Sequence, residues 1–115
     1  IGIRTMNNHQ MKQANKYNVQ IIDMNNFRSD IKLEFNGPVY ITLDLDGLDP
    51  AFAPGVSHPE PGGLSTRDIL NIIYKIKEKV IGADIVEYNP KKDLNNITAI
   101  TAAKFLKELL GKMLK

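Results

Sequence analysis

Apolar and polar positions alternate in blocks along this chain, with short apolar runs giving way to longer amphipathic ones. Ile1–Arg4 reads as a strand, and Met6–Tyr17, polar and weakly periodic, as a surface helix. Val19–Met24 is a second short apolar strand, after which Phe27, Ile31 and Phe35 recur at helical spacing within Asn25–Phe35. Asn36-Gly37-Pro38 marks a turn. Val39–Leu43 is almost continuously apolar, the pattern of a strand buried on both faces of a parallel sheet. Ser65-Thr-Arg-Asp68 matches a capping box, and the helix it opens carries Ile69, Leu70, Ile72, Ile73 and Ile76 on one broad face. Val80–Val86 is the next strand, interrupted by Gly82 and Asp84 and ending at Glu87 before Asn89-Pro90. A final amphipathic helix runs from Leu94 or Asn95 to Leu114, with Ile97, Ile100, Ala103, Phe105, Leu106, Leu109 and Leu110 as its expected buried stripe. Strands alternating with helices predict an α/β fold with a mostly parallel sheet.

One stretch breaks this rhythm. The strand ending at Leu43 runs directly into Asp44, Asp46 and Asp49. In an extended segment residues i and i+2 point to the same side, so Asp44 and Asp46 are expected to present their carboxylates together. Two carboxylates that close repel one another unless a cation lies between them, which marks a hard-metal site. The segment from Asp44 to Leu64 then carries Pro50, Pro54, Pro59 and Pro61 together with Gly55, Gly62 and Gly63, so it is expected to be a long, stiff loop without regular structure. Ligands of open α/β sheets bind beyond the carboxyl ends of the strands. Asp44, Asp46 and Glu87 all fall at such ends, beneath the same loop.

Composition narrows the chemistry. Fifteen basic and 13 acidic residues in 115 leave a formal charge of +2, and no basic cluster interleaved with aromatics points to nucleic acid. The absence of cysteine removes thiolate ligands, disulfides and a cysteine nucleophile. With no apolar run long enough to span a bilayer, the expectation is a cytoplasmic protein with no membrane partner. The chain opens at Ile1, within an apparent strand and without Met, as a piece of something longer would.

Asp44-Leu-Asp-Gly-Leu-Asp-Pro-Ala-Phe-Ala-Pro-Gly-Val-Ser-His-Pro-Glu-Pro-Gly-Gly-Leu64 resembles the signature of the ureohydrolases, the arginase and agmatinase family. Its Asp-Pro-Ala-Phe-Ala-Pro-Gly and Pro-Glu-Pro-Gly-Gly segments are closer to agmatinases than to animal arginases. Asp84-Ile-Val-Glu87-Tyr-Asn-Pro90 resembles the family's next motif, Asp93 and Thr98 fall where the family tends to place Asp and Thr, and Gly2-Ile3-Arg4 is similar to a family strand. The resemblance implies a three-layer αβα, arginase-like fold, of which this chain is the C-terminal portion. It also implies a binuclear Mn²⁺ hydrolase that releases urea from a small guanidino substrate, agmatine above all, and that forms a homo-oligomer. By the same resemblance Asp44 bridges the two ions, Asp46 chelates one, and Glu87 pairs with the substrate guanidinium. The chemistry is consistent with that: two ions lower the pKa of a bound water, carboxylates suit Mn²⁺, and a carboxylate accepts two parallel N–H bonds from a planar cation. The family's histidine-bearing segments, Gly-Asp-His and Asp-Ala-His-x-Asp, are absent, and the only histidines are His9 and His58. The remaining ligands are therefore expected upstream in a longer enzyme, and the fragment alone is expected to be inactive.

Plainer roles compete at several positions. Asp49, before Pro50, reads as a turn residue rather than a ligand, and His9 as solvated on a polar helix. His58 lies in the proline-flanked loop and could touch substrate or metal, although a single loop histidine more often does neither. Gly62-Gly63 lacks the flanking spacing of a phosphate loop and reads as a tight backbone path into the helix at Ser65. The Asp-Leu-Asp-Gly strand end also resembles the haloacid-dehalogenase phosphatase motif, a Mg²⁺-dependent alternative, but Leu48-Asp49-Pro50 follows where that motif continues Thr-Leu. A non-catalytic remnant that acts only in assembly is the other alternative.

Overall fold

Val39–Asp44 (β1) and Val80–Val86 (β2) pair in parallel, with Leu43 opposite Ile85 and Asp44 opposite Val86 in this computed structural model, which describes residues 1–114. A parallel pair requires a crossover, and Thr66–Lys75 (α2) supplies it. The remaining helices are Asn8–Lys16 (α1) and Ile97–Met113 (α3), the latter packed against both β2 and α2. The core gathers Leu43, Leu45, Leu48, Val56, Leu64, Leu70, Ile73, Phe105 and Leu109.

The predicted capping box forms as read: Ser65 Oγ accepts from the amide of Asp68 at 3.1 Å, and Asp68 Oδ2 accepts from the amide of Ser65 at 3.0 Å. Ile69, Leu70 and Ile73 are buried along the α2 face, and Ile76 just beyond it. α1 is a surface helix with no buried residue, opened by Asn7 and Gln10 in a capping box of its own.

Several expectations are corrected. Ile1–Arg4 and Val19–Met24 are not full strands: they meet in one isolated parallel bridge, Ile3 to Asp23. Asn25–Phe35 forms turns and irregular backbone rather than a helix: Asp23 Oδ1 takes the amide of Asn26 at 2.9 Å and the Asp23 carbonyl that of Phe27 at 2.9 Å, a capped turn that is not continued. β1 is buried on one face only, with Tyr40 and Thr42 exposed on the other. The stripe on α3 is narrower than its sequence suggests. Thr98, Phe105 and Leu109 face the core, whereas Ile97, Ile100, Leu106 and Leu110 are exposed.

The proline-rich segment is also more than a loop. A single 3-10 turn covers Leu45–Gly47, and the segment buries Leu45, Leu48, Ala53, Val56 and Leu64. Its two ends are joined by a parallel bridge between Leu48 and Leu64. Gly63 makes that closure possible, since a Cβ there would lie 2.5 Å from the carbonyl carbon of Leu48. Gly62 precedes it at φ +84°, a conformation that favours glycine. The tight path into α2 predicted for this pair is what the backbone follows.

Candidate metal and guanidinium site

The carboxyl ends of β1 and β2 carry the charged groups. β1 stops at Asp44, and the 3-10 turn that follows removes Asp46 from the extended register. The two side chains are therefore not simple i and i+2 neighbours on a strand, as the sequence suggested. Asp44 Oδ1 instead accepts the amide of Asp46 at 3.0 Å, capping the turn. Arg4 braces the same turn from outside, donating through Nη2 to the carbonyl of Asp46 and through Nη1 to that of Gly2 at 2.8 Å. Burial pushes the Asp46 carboxyl up from its ordinary value, and the nearby Asp44 carboxylate adds to the rise, against the opposing charge of Arg4. A carboxylate held in this way favours a proton or a cation.

β2 ends differently. Glu87 adopts φ +65°, a left-handed conformation that is costly for a non-glycine residue. That kink turns the chain so that Tyr88 pairs antiparallel with Val56 of the loop, and the amide of Asn89 donates to the carbonyl of Gly55 at 2.8 Å. Asn89 Nδ2 reaches Ser57 Oγ at 3.2 Å, and Lys92 Nζ reaches the Ser57 carbonyl at 2.9 Å. The loop is thereby held over the strand ends. The outcome is a cluster in which one ligand atom from each of Asp46, His58 and Glu87 lies within 4.8 Å of the others.

Asp93 and Thr98 anchor this arrangement from below. Asn96, the residue before α3, is left-handed and gives no side-chain cap. Asp93 takes over, accepting the amides of Thr98 at 2.9 Å and Ala99 at 3.0 Å. Burial by itself would raise the Asp93 carboxyl, but these amides hold it below its ordinary value. Thr98, fully buried, accepts the amide of Gly55 at 2.7 Å through Oγ1. Gly55 abuts Asp93 so closely that a Cβ would fall 2.8 Å from that side chain.

Of the residues expected at the site, Asp46 and Glu87 are brought together, and Asp44 lies beside them with one oxygen committed to the backbone. Asp49 is structural, as read from the sequence: Oδ1 accepts from Ala51 at 2.9 Å and Oδ2 from Gly62 at 2.7 Å. The sequence undervalued His58. Its neighbourhood depends on the Val56–Tyr88 bridge, a pairing between distant segments that leaves no local pattern. Arg4 was likewise unread as a brace of the Asp46 turn.

A carboxylate-lined edge of a parallel sheet, roofed by a proline-rich loop, defines a class of α/β protein with a polar cation site at its strand ends. The chain belongs to the arginase family, whose model matches residues 1–111. It is 46% identical to mitochondrial arginase 1 of Arabidopsis thaliana over 123 aligned residues, which cover 100% of this chain and 36% of that protein. An agmatinase of Halalkalibacterium halodurans is 48% identical over 75 residues, covering 63% of this chain and 26% of its own length. Among solved structures, arginase from Medicago truncatula superposes with a TM-score of 0.87 at 43% identity, over 96% of this chain and 38% of that one. A T. brucei arginase-like protein, as a triple mutant bound with Mn²⁺, superposes at 0.86 with 36% identity, over 96% of this chain and 40% of that one. The chain thus spans little more than a third of its curated arginase relatives.

These likenesses establish the arginase-like α/β fold, here in part. They lend nothing to the phosphatase alternative. The cytoplasmic expectation is overturned, because the arginases of A. thaliana and M. truncatula to which the chain is similar are designated mitochondrial. Lack of a membrane-length apolar run carries no information about organelles, and that is why the composition misled. Among the described residues no helix is long and apolar enough to cross a membrane.

Proposed function

We propose that this chain is the C-terminal portion of an organellar, Mn²⁺-dependent enzyme that hydrolyses a guanidino compound and releases urea. The observation that carries the reading is the convergence of Asp46 and Glu87, with Asp44 alongside, at the carboxyl ends of two parallel strands in an arginase-family chain. The donor chemistry fits: carboxylates are hard ligands suited to Mn²⁺, and the raised Asp46 carboxyl is a group whose charge a cation would relieve. Asp44 and Asp46 would hold the metal, with further ligands supplied by the rest of a longer protein. When bound, the metal ions supply an acidified water as nucleophile. Glu87, fixed by its left-handed backbone, accepts two N–H bonds from the guanidinium and sets its plane.

Arginine is the substrate this reading favours, because arginases of A. thaliana and M. truncatula match along the whole chain. Agmatine is the second reading. It is supported by the wording of the Asp49–Gly63 loop and by an agmatinase match over 63% of the chain. The test is urea release by the complete Mn²⁺-loaded protein, with arginine and agmatine compared at equal concentration. Faster turnover of arginine is expected. Preference for agmatine would select the second reading, and no urea from either would end both.

A further inference from the structure

We propose that His58 forms the second wall of the guanidinium subsite. Its imidazole lone pair accepts one N–H of the terminal NH₂ group whose other N–H is taken by Glu87. The inference rests on the guanidino-hydrolase reading above and adds to it a residue that determines substrate binding.

The backbone places His58 for this. In an antiparallel bridge, residues just after one partner lie across from those just before the other. Val56 pairs with Tyr88, so His58, two residues on, is returned toward Val86 and Glu87. The ties that hold this stretch run through its neighbours: the Gly55 carbonyl, the Ser57 hydroxyl and the Ser57 carbonyl are all engaged by Asn89 or Lys92. The imidazole is the group that faces the carboxylates, with a ring nitrogen within 4.8 Å of an oxygen of Asp46 and of Glu87.

That proximity admits a trigonal nitrogen between the two groups. An NH₂ group directs its two N–H bonds about 120° apart, and acceptors at about 2.9 Å from the nitrogen then stand about 5 Å from each other. Two acceptors within 4.8 Å can therefore share one NH₂ group with little rearrangement. An imidazole is also the fitting acceptor beside two carboxylates. It takes an N–H bond without adding a further negative charge beside Asp46 and Glu87.

The experiment uses the complete Mn²⁺-loaded protein, with guanidinium ion as a competitive inhibitor alongside the substrate. In His58→Ala, KM for the guanidino substrate and Ki for guanidinium ion should both rise roughly tenfold, as loss of one hydrogen bond to a charged group implies, with kcat much less affected. His58→Asn, which keeps an acceptor, should recover most of the loss, and His58→Phe, which keeps only bulk, should not. Bound Mn²⁺ and melting temperature should match the parent in all three. Unchanged KM and Ki in His58→Ala would overturn the proposal, as would loss of bound Mn²⁺, which would make the imidazole a metal ligand. Failure of the underlying reading looks different: the complete parent protein itself would then release no urea from arginine or agmatine, before any His58 variant is compared.

Discussion

Asp46 and Asp49 stand three residues apart in one segment and have opposite fates. Asp49 is saturated by backbone amides, Ala51 first and then Gly62, and its carboxyl is held below the ordinary value. Asp46 is partly buried beside a second carboxylate, and its carboxyl is pushed up. The first arrangement satisfies a charge with protein donors and fixes a loop. The second leaves a charge for something outside the chain to satisfy. A carboxylate on its own does not mark a site. Being brought to a strand end without enough donors does.

The contrast can be broken or sharpened by experiment. The largest effect is expected for Asp46→Ala, which should weaken Mn²⁺ binding by roughly a hundredfold or more and abolish metal-dependent urea release. Equilibrium dialysis with Mn²⁺ checks the first, and activity surviving the substitution would remove Asp46 from the ligand set. Next is Gly63→Ala. With no room for a Cβ against the Leu48 carbonyl carbon, it should cost about 3 kcal/mol in chemical denaturation. A stability equal to the parent's would show that the Leu48–Leu64 closure is dispensable. Asp49→Ala should lower the melting temperature but leave Mn²⁺ affinity unchanged, the reverse of the Asp46 result. Equal loss of metal in both variants would erase the distinction.

Two smaller effects concern protonation. Asp49 and Asp93 have lowered carboxyl values in the fold. The stability they contribute is therefore fully present above their unfolded value of about 3.9 and is lost as pH falls below it through the folded values. Acid titration of the melting temperature should show a drop in that range that shrinks in Asp93→Asn. Asp46 has the opposite sign: its raised value makes the ionised form a penalty at neutral pH that disappears in acid. In the metal-free protein Asp46→Asn should thus melt slightly higher than the parent at neutral pH, and a lower melting temperature would contradict the raised carboxyl.

Much of the fold was legible because its signals are local. The apolar run Val39–Leu43, the Ser65–Asp68 box and the Ile69–Ile76 face each act within one or two turns, and the structure contains β1, the cap and α2 where they were expected. The strand-end carboxylates were legible for the same reason. What the sequence hid depends on distant pairings. Ile3 with Asp23, and Val56 with Tyr88, leave no periodic trace. In Asn25–Phe35 the helical spacing of Phe27, Ile31 and Phe35 yields no helix, and the capped turn at Asp23 stops at Phe27. The stripe on α3 was overread because Ile97, Ile100, Leu106 and Leu110 are apolar without facing the core of these residues. Glu87 shows the limit most clearly: its left-handed backbone is set by where the chain must go next, not by glutamate's own preference.

The bridge between Leu48 and Leu64 has one further consequence. It closes the intervening residues into an insulated excursion, pinned at its neck and again at Gly55 by Thr98. Between these pins His58 meets the strand ends, beside Asp46 and Glu87, while Glu60 accepts from Thr5 Oγ1 at 2.6 Å. Such an arrangement separates the part of a site that must stay fixed from the part that can be rewritten. Residues of the tip can then vary while the carboxylate end of the sheet keeps its geometry.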